Sequence, residues 1–206
     1  MSTTIARTKP AVLAPVTAFA ALTIAYVAAN ARTPHPDASG QDVLAYTTAH
    51  AGLINAGALL LLLSAAPLAI AAGLIQRVLR GPSLTTIGAA LAAGGLTFSA
   101  LFAWTGGRLT DSAAPALARA LADLGYLSGG PAYAAGFGLL ALGIAIPAML
   151  DRKLPAWLIW CGFGIAAVAA LSTLALVISG FGFLLPVVRF AGSLWLIAVA
   201  VVLSRR

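Results

Sequence analysis

Six residues carry the chemistry open to this chain: Arg189, His50, Asp42, Asp111, Asp123 and Tyr133. Arg189 stands alone as a charge inside a long apolar run, in the stretch 183–195. It lies sixteen residues before Arg205, about 24 Å along a helix. In a hydrocarbon core of about 30 Å this puts it in the outer third, near the far surface. A charge there has three roles open to it. It can snorkel to the headgroups, pair with an aspartate, or bind an anionic ligand. Asp111, Asp123 and Asp42 are the pairing candidates. Arg119 competes for Asp123 as an i, i+4 neighbour, although an arginine preceding its acid is the weaker order. Asp123 is nevertheless the expected partner, because a helix face bearing Arg119, Asp123 and Tyr126 can lie over the mouth of a bundle. His50 reads either as a proton relay or general base with Asp42 or Asp123, or as an interfacial histidine bonded to Tyr46, a carbonyl or water. His35 sits in a proline-flanked loop and reads as solvated. Two histidines so placed make a poor pair of haem ligands.

The elements that position these residues follow from composition. The chain has 206 residues, 61% hydrophobic and 8% charged, with a net charge of +7. A soluble domain carries about 25% charged residues, which excludes that class. The bases sit at the ends of apolar runs, where orientation in a membrane and anionic lipid account for them without nucleic acid. With one cysteine, Cys161, no internal disulfide forms, and no Cys/His cluster offers a zinc or iron–sulfur site. The sequence contains no nucleotide-binding loop, metal motif or Ser-His-Asp set, so no cofactor is expected.

The apolar runs predict an all-α polytopic bundle, one domain of six transmembrane helices at about 11–30, 51–76, 84–105, 131–150, 156–178 and 184–204. The small residues at 29–31 fit a signal-peptide cleavage site. The apolar run before them is longer than the usual 7–15 residues, so it reads as a retained helix. Ser39-Gly40-Gln41-Asp42 has the form of a capping box and starts a short helix ahead of the second span. Gly81 and Pro82 supply a stop after that span. Gly88, Gly94 and Gly95 are expected to let the third span approach a neighbour closely. Asp111 is expected to cap a short amphipathic helix with Leu117, Leu121 and Leu124 on one face, ended by Gly129-Gly130-Pro131. Pro67, Pro147 and Pro186 are candidate kinks. Asn55, Thr97, Ser99, Ser172 and Thr173 are expected to make interhelical hydrogen bonds worth about 0.6 kcal/mol each. A short similarity between the stretches 72–79 and 147–154 would give a parallel repeat.

Arg7, Lys9, Arg77, Arg80, Arg152, Lys153, Arg205 and Arg206 fall on one side, and Arg32, Arg108 and Arg119 on the other. This places both termini in the cytoplasm and makes both short helices exoplasmic. Trp157 and Trp160 are expected at the inner interface, Trp104 and Tyr133 at the outer one.

Two stretches resemble a known group. One is Pro36-Asp37-Ala38-Ser39 through Asp42-Val43-Leu44-Ala45-Tyr46 to Ala49-His50-Ala51-Gly52. The other is Leu154-Pro155-Ala156-Trp157-Leu158-Ile159-Trp160-Cys161-Gly162, followed by Arg189 and a basic C-terminus. In layout the chain resembles uncharacterised six-helix integral membrane proteins common in high-GC bacteria. The resemblance implies a topology and brings no activity with it.

Three functions fit this layout. The leading one is a non-enzymatic membrane protein. It would bind a lipid, a small hydrophobic ligand or a partner protein at an exoplasmic mouth formed by Arg189, His50, Asp42, Asp111, Asp123 and Tyr133. The second is an intramembrane enzyme using an aspartate as acid on a lipophilic substrate, of terpenoid cyclase or isomerase type. The third is a transporter, for which the spans lack a midplane charge.

Overall fold

A computed structural model of the chain describes residues 12–80 and 83–205. The expected stop at Gly81 and Pro82, the leading Arg7 and Lys9, and the terminal Arg206 lie outside the described residues. Those described are almost wholly helical, with no strand among them. The order is α1 (Leu13–Ala29), α2 (Gly40–Ala49), α3 (Ala51–Leu79), α4 (Leu84–Gly106), α5 (Pro115–Leu127), α6 (Tyr133–Leu150), α7 (Ala156–Ser172) and α8 (Leu184–Ser204). Five helical stretches are long and apolar enough to cross a membrane: Ala51–Leu79, Leu84–Gly106, Pro115–Leu150, Ala156–Leu176 and Ser179–Ser204. α1 is a shorter apolar helix. This is the make-up of a multi-pass membrane protein. Large apolar side chains such as Leu59, Ile70, Phe98 and Leu194 face outwards, as they do where the surroundings are lipid.

Burial of apolar surface does not drive helices together in lipid, so close packing must. The tightest seam joins α4 and α6, which run antiparallel. A Cβ added at Gly88 would collide with the Leu140 backbone, one at Gly136 with Ala92, and one at Gly143 with Thr85. A Cβ added at Gly95 would likewise come within 2.7 Å of the Ser128 carbonyl oxygen. Gly94, expected to share this role, has open space where its Cβ would be. It is the position next to Gly95, and that single step turns it about 100° away from the seam. α1 belongs to the same core, with Val16 and Phe19 buried and packing against α3 and α8.

α2 begins as expected. The Ser39 hydroxyl accepts from the Asp42 amide at 3.2 Å and donates to the Asp42 carboxylate at 2.7 Å. α2 packs on α5 through Val43, Leu44 and Ala118, a small separate core at one end of the bundle. α5 departs from expectation at both ends. Asp111 does not cap it; the N-cap is Ala114, without a side-chain bond, and Pro115 takes the first helical position. Proline suits that position because its missing N–H would be unpaired there anyway. At the other end Gly129-Gly130-Pro131 does not stop the helix. The chain continues into α6 through a π-turn over Ser128–Ala132. Pro131 has no N–H for the carbonyl four residues back, and its ring would crowd that carbonyl. Widening the turn by one residue relieves both, and the Tyr133 amide donates to the Ser128 carbonyl.

The opposite end is held by Lys153. Its ammonium donates to the Leu79 carbonyl at 2.9 Å, at the end of α3, and pairs with Asp151 at 2.8 Å. Arg80 and Arg152 both take left-handed backbone conformations, each with φ 50°. They do not occupy matching places in the stretches 72–79 and 147–154, since Arg152 would align with the helical Arg77. The two ends are built differently. Pro67 and Pro147 lie inside helices. Pro186 falls in the first turn of α8, where no intrahelical bond is lost and no kink is required.

Candidate functional site

Arg189 projects from the first half of α8, one turn before Ser193, whose hydroxyl donates back to the Arg189 carbonyl at 2.7 Å. Its guanidinium donates through Nη2 to the carbonyl of Gly129. That carbonyl is available for a structural reason. In an α-helix the Tyr133 amide would take it, but in the π-turn this amide points to Ser128 and Gly130 instead. A carbonyl bypassed in this way needs a donor if it is shielded from water, and Arg189 is that donor. The guanidinium carbon lies 5.0 Å from the Tyr133 ring centroid and 5.6 Å from that of Tyr26 on α1. Cation–π attraction from two rings favours a charge in an apolar setting. Tyr133 packs on Phe137 at 5.6 Å between centroids, and its hydroxyl is buried without a hydrogen-bond partner among the described residues. α8, α1 and the α5–α6 junction thus meet at one arginine.

Among the described residues no carboxylate lies within ion-pair distance of Arg189. The expected Asp123 partner is taken by Arg119, with Nη2 2.8 Å and Nε 3.1 Å from its two carboxylate oxygens. Arg119 also donates to the Ala38 carbonyl at 2.7 Å, tying α5 to the loop before α2. Asp42 is engaged in capping α2. Asp111 is exposed in the turn ahead of α5. The six expected site residues therefore do not form one mouth; only Arg189 and Tyr133 come together. Tyr133 is also not the outer-interface aromatic it was expected to be, for it is 2% exposed and points into the bundle. Trp104, Trp157 and Trp160 do face outwards.

His50 caps the step between α2 and α3. Its Nδ1 lies 3.0 Å from the Tyr46 carbonyl, and its ring stacks on that of Tyr46 at 4.4 Å. A carbonyl only accepts, so Nδ1 carries the proton and Nε2 is left for the surroundings. His50, Tyr46 and Arg32 line a small open hollow, separate from Arg189. His35 is exposed and 3.1 Å from the exposed Asp37. No cluster of metal-binding side chains occurs among the described residues.

The isolated polar residues behave differently from expectation. Thr97, Ser172 and Thr173 bond to carbonyls of their own helical segment, as short hydroxyls do when no neighbour offers an acceptor. The Asn55 oxygen is buried without a partner. Ser99 alone of the five reaches across, to the Gly125 carbonyl at 2.8 Å. An unexpected interhelical bond runs from the Trp195 indole to the Leu158 carbonyl at 2.8 Å. Tyr26 and Gly129 were missed as members of the Arg189 cluster. A breaker triplet such as Gly-Gly-Pro inside a long apolar helix is the one signal that could have pointed to a freed carbonyl. Compared with protein-family models, curated proteins and solved structures, the chain matches none, and no relative assigns this arginine a ligand.

Proposed function

We propose that the protein is a six-span integral membrane protein of a bacterial inner membrane that binds an amphiphile with an anionic head at Arg189. The ligand class is a lipid or a small hydrophobic molecule bearing a phosphate or carboxylate. One observation carries this reading. Arg189 holds a charge in an apolar helix, has no acid within ion-pair distance among the described residues, and commits one of its five N–H donors to the protein. A half-buried guanidinium so placed is neutralised by an anion from the bilayer or by a ligand. Its remaining N–H donors keep the fixed fork of a guanidinium, which suits a phosphate or carboxylate better than a snorkelling point charge. A carboxylate acid for the rival enzyme is not found beside it, since the aspartates are engaged or distant.

The topology belongs to the same proposal. α1 joins the five longer helices as a span, with both termini cytoplasmic and α2 and α5 exoplasmic. Among the described residues Arg77, Arg80, Arg152, Lys153 and Arg205 lie at one end, and Arg32, Arg108 and Arg119 at the other, which supports that orientation. The packing of α1 into the core supports its being retained.

The test is lipid and metabolite analysis of the purified protein by mass spectrometry. Wild type should carry an anionic amphiphile at near one per chain, and Arg189→Leu should lose it while still unfolding cooperatively. Equal recovery from both proteins would remove Arg189 as the binding group.

A further inference from the structure

A second feature at the α2–α5 end lies on the outside of the bundle, in the cleft between α3 and α4. The cleft encloses about 450 Å³ and is lined by Ala58, Leu59 and Leu62 of α3 and by Ala100, Leu101 and Trp104 of α4, with Asn55 at its upper end. The leucines and Trp104 are each about half exposed, so the cleft opens towards the lipid. From Asn55 to Leu62 it runs about 10 Å along the axis, within the roughly 15 Å depth of one leaflet. Alanines at positions 58 and 100 make the hollow, because larger side chains there would close it.

The rim is cationic. The Arg108 guanidinium carbon lies 4.7 Å over the Trp104 ring centroid, which holds the charge above the cleft. Among the described residues no carboxylate is within ion-pair distance of Arg108, Asp111 included. Asn55 turns its side-chain oxygen inwards against Gly107, buried and unpartnered. Its amide N–H groups are then what this side chain offers the cleft. Apolar walls, a fixed cation and amide donors at one end match a chain with an anionic head.

We infer that this cleft seats one acyl chain of an anionic phospholipid, with the phosphate on Arg108. The site is separate from Arg189 and stands whether or not Arg189 binds an amphiphile.

Purified protein titrated with phosphatidylglycerol, or with phosphatidylcholine of the same chains, and examined by native mass spectrometry tests this. Wild type should retain phosphatidylglycerol about fivefold better, the factor expected for one basic residue at a membrane surface. In an Arg189→Leu background, Arg108→Gln should bring the two lipids to parity, and Arg108→Lys should keep most of the preference. Leu62→Trp, which narrows the cleft from its lipid-facing side, should lower retention of the phosphatidylglycerol. Arg80→Gln, an equal charge loss at the opposite end, and Arg189→Leu should each leave the Arg108-dependent preference in place. Equal retention by wild type would overturn the assignment. So would an undiminished preference in Arg108→Gln, or an Arg80→Gln effect as large as that of Arg108→Gln. A dimer that dissociates in Arg108→Gln would give the cleft to a second copy of the chain instead.

Discussion

Arg189 touches three groups at once: the Gly129 carbonyl and the rings of Tyr26 and Tyr133. Lysine can donate to the Gly129 carbonyl, but its compact ammonium replaces a guanidinium whose carbon lies 5.6 Å from the Tyr26 ring centroid and 5.0 Å from that of Tyr133. Arg189→Lys should therefore lower unfolding stability in detergent by about 1 kcal/mol, the value of a cation–π contact at a partly desolvated site. Arg189→Leu should cost about 1.5–3 kcal/mol, as expected for a hydrogen bond to a charged group. Because Asp123 is held by Arg119, Asp123→Asn combined with Arg189→Leu should be additive within about 0.5 kcal/mol. A coupling energy well above that would place the two side chains together after all. Cys161 is exposed on α7, so Cys161→Ala should leave stability within about 0.5 kcal/mol of wild type, measured in the same unfolding assay. Much of this scale was legible in the sequence. A lone charge in an apolar run marks itself, and the i, i+4 spacing already made Arg119 a rival for Asp123. Tyr26 was not legible, because nothing in local spacing tells a tyrosine on the first helix that it will meet an arginine on the last. Gly129 was not legible either, since what it contributes is a backbone carbonyl and not a side chain.

Helices α4 and α6 meet where glycine lets two backbones touch, and the two adjacent glycines of α4 separate the seam from its surroundings. Gly95→Ala should destabilise by about 1–3 kcal/mol through overpacking against the Ser128 carbonyl and Tyr133. Gly94→Ala, in open space, should be neutral or slightly stabilising, since alanine is the better helix former. Thermal unfolding of the two variants side by side distinguishes them, and equal effects would mean the seam lies elsewhere. The sequence signalled close approach in this stretch without telling which glycine faces the partner. That choice depends on the rotation of the helix, and a segment apolar all round has no polar face from which to read it. The capping box of α2 was legible because its bonds are local. The junction at Gly129-Gly130-Pro131 was misread because these residues do end helices in water. Inside this bundle, Ser99 and Arg189 satisfy the carbonyls of Gly125 and Gly129, and the helix continues.

Five apolar segments long enough to cross a bilayer, and the shorter apolar α1, were legible at the scale of the whole molecule from length and composition. Their neighbours were not, for lipid-facing and core-facing sides are equally apolar. The packing of α1 on α8 and the α4–α6 seam had no counterpart in the sequence pattern. Sidedness is testable directly. Ser39→Cys and Ser112→Cys should react with an impermeant maleimide added to intact cells, while Ser83→Cys should react only after permeabilisation. Labelling of the Ser83 site from outside would invert the proposed topology. It would also move the Arg189 and Arg108 sites to the other leaflet.

The π-turn works as a phase shifter. A helix with one residue more or fewer emerges rotated by about 100°, so α5 and α6 cannot both be in register with their partners unless the turn between them has the right length. Upstream, Ala118 and Arg119 must face α2 and the loop before it. Downstream, Gly136 and Gly143 must face α4. Deleting Gly130 should straighten the coil, withdraw the bypassed carbonyl from Arg189 and leave one of the two faces pointing the wrong way. Protease sensitivity at α2 in that variant, with the membrane bundle still assembled, would show that the glycine seam keeps its angle and the outer cap gives way.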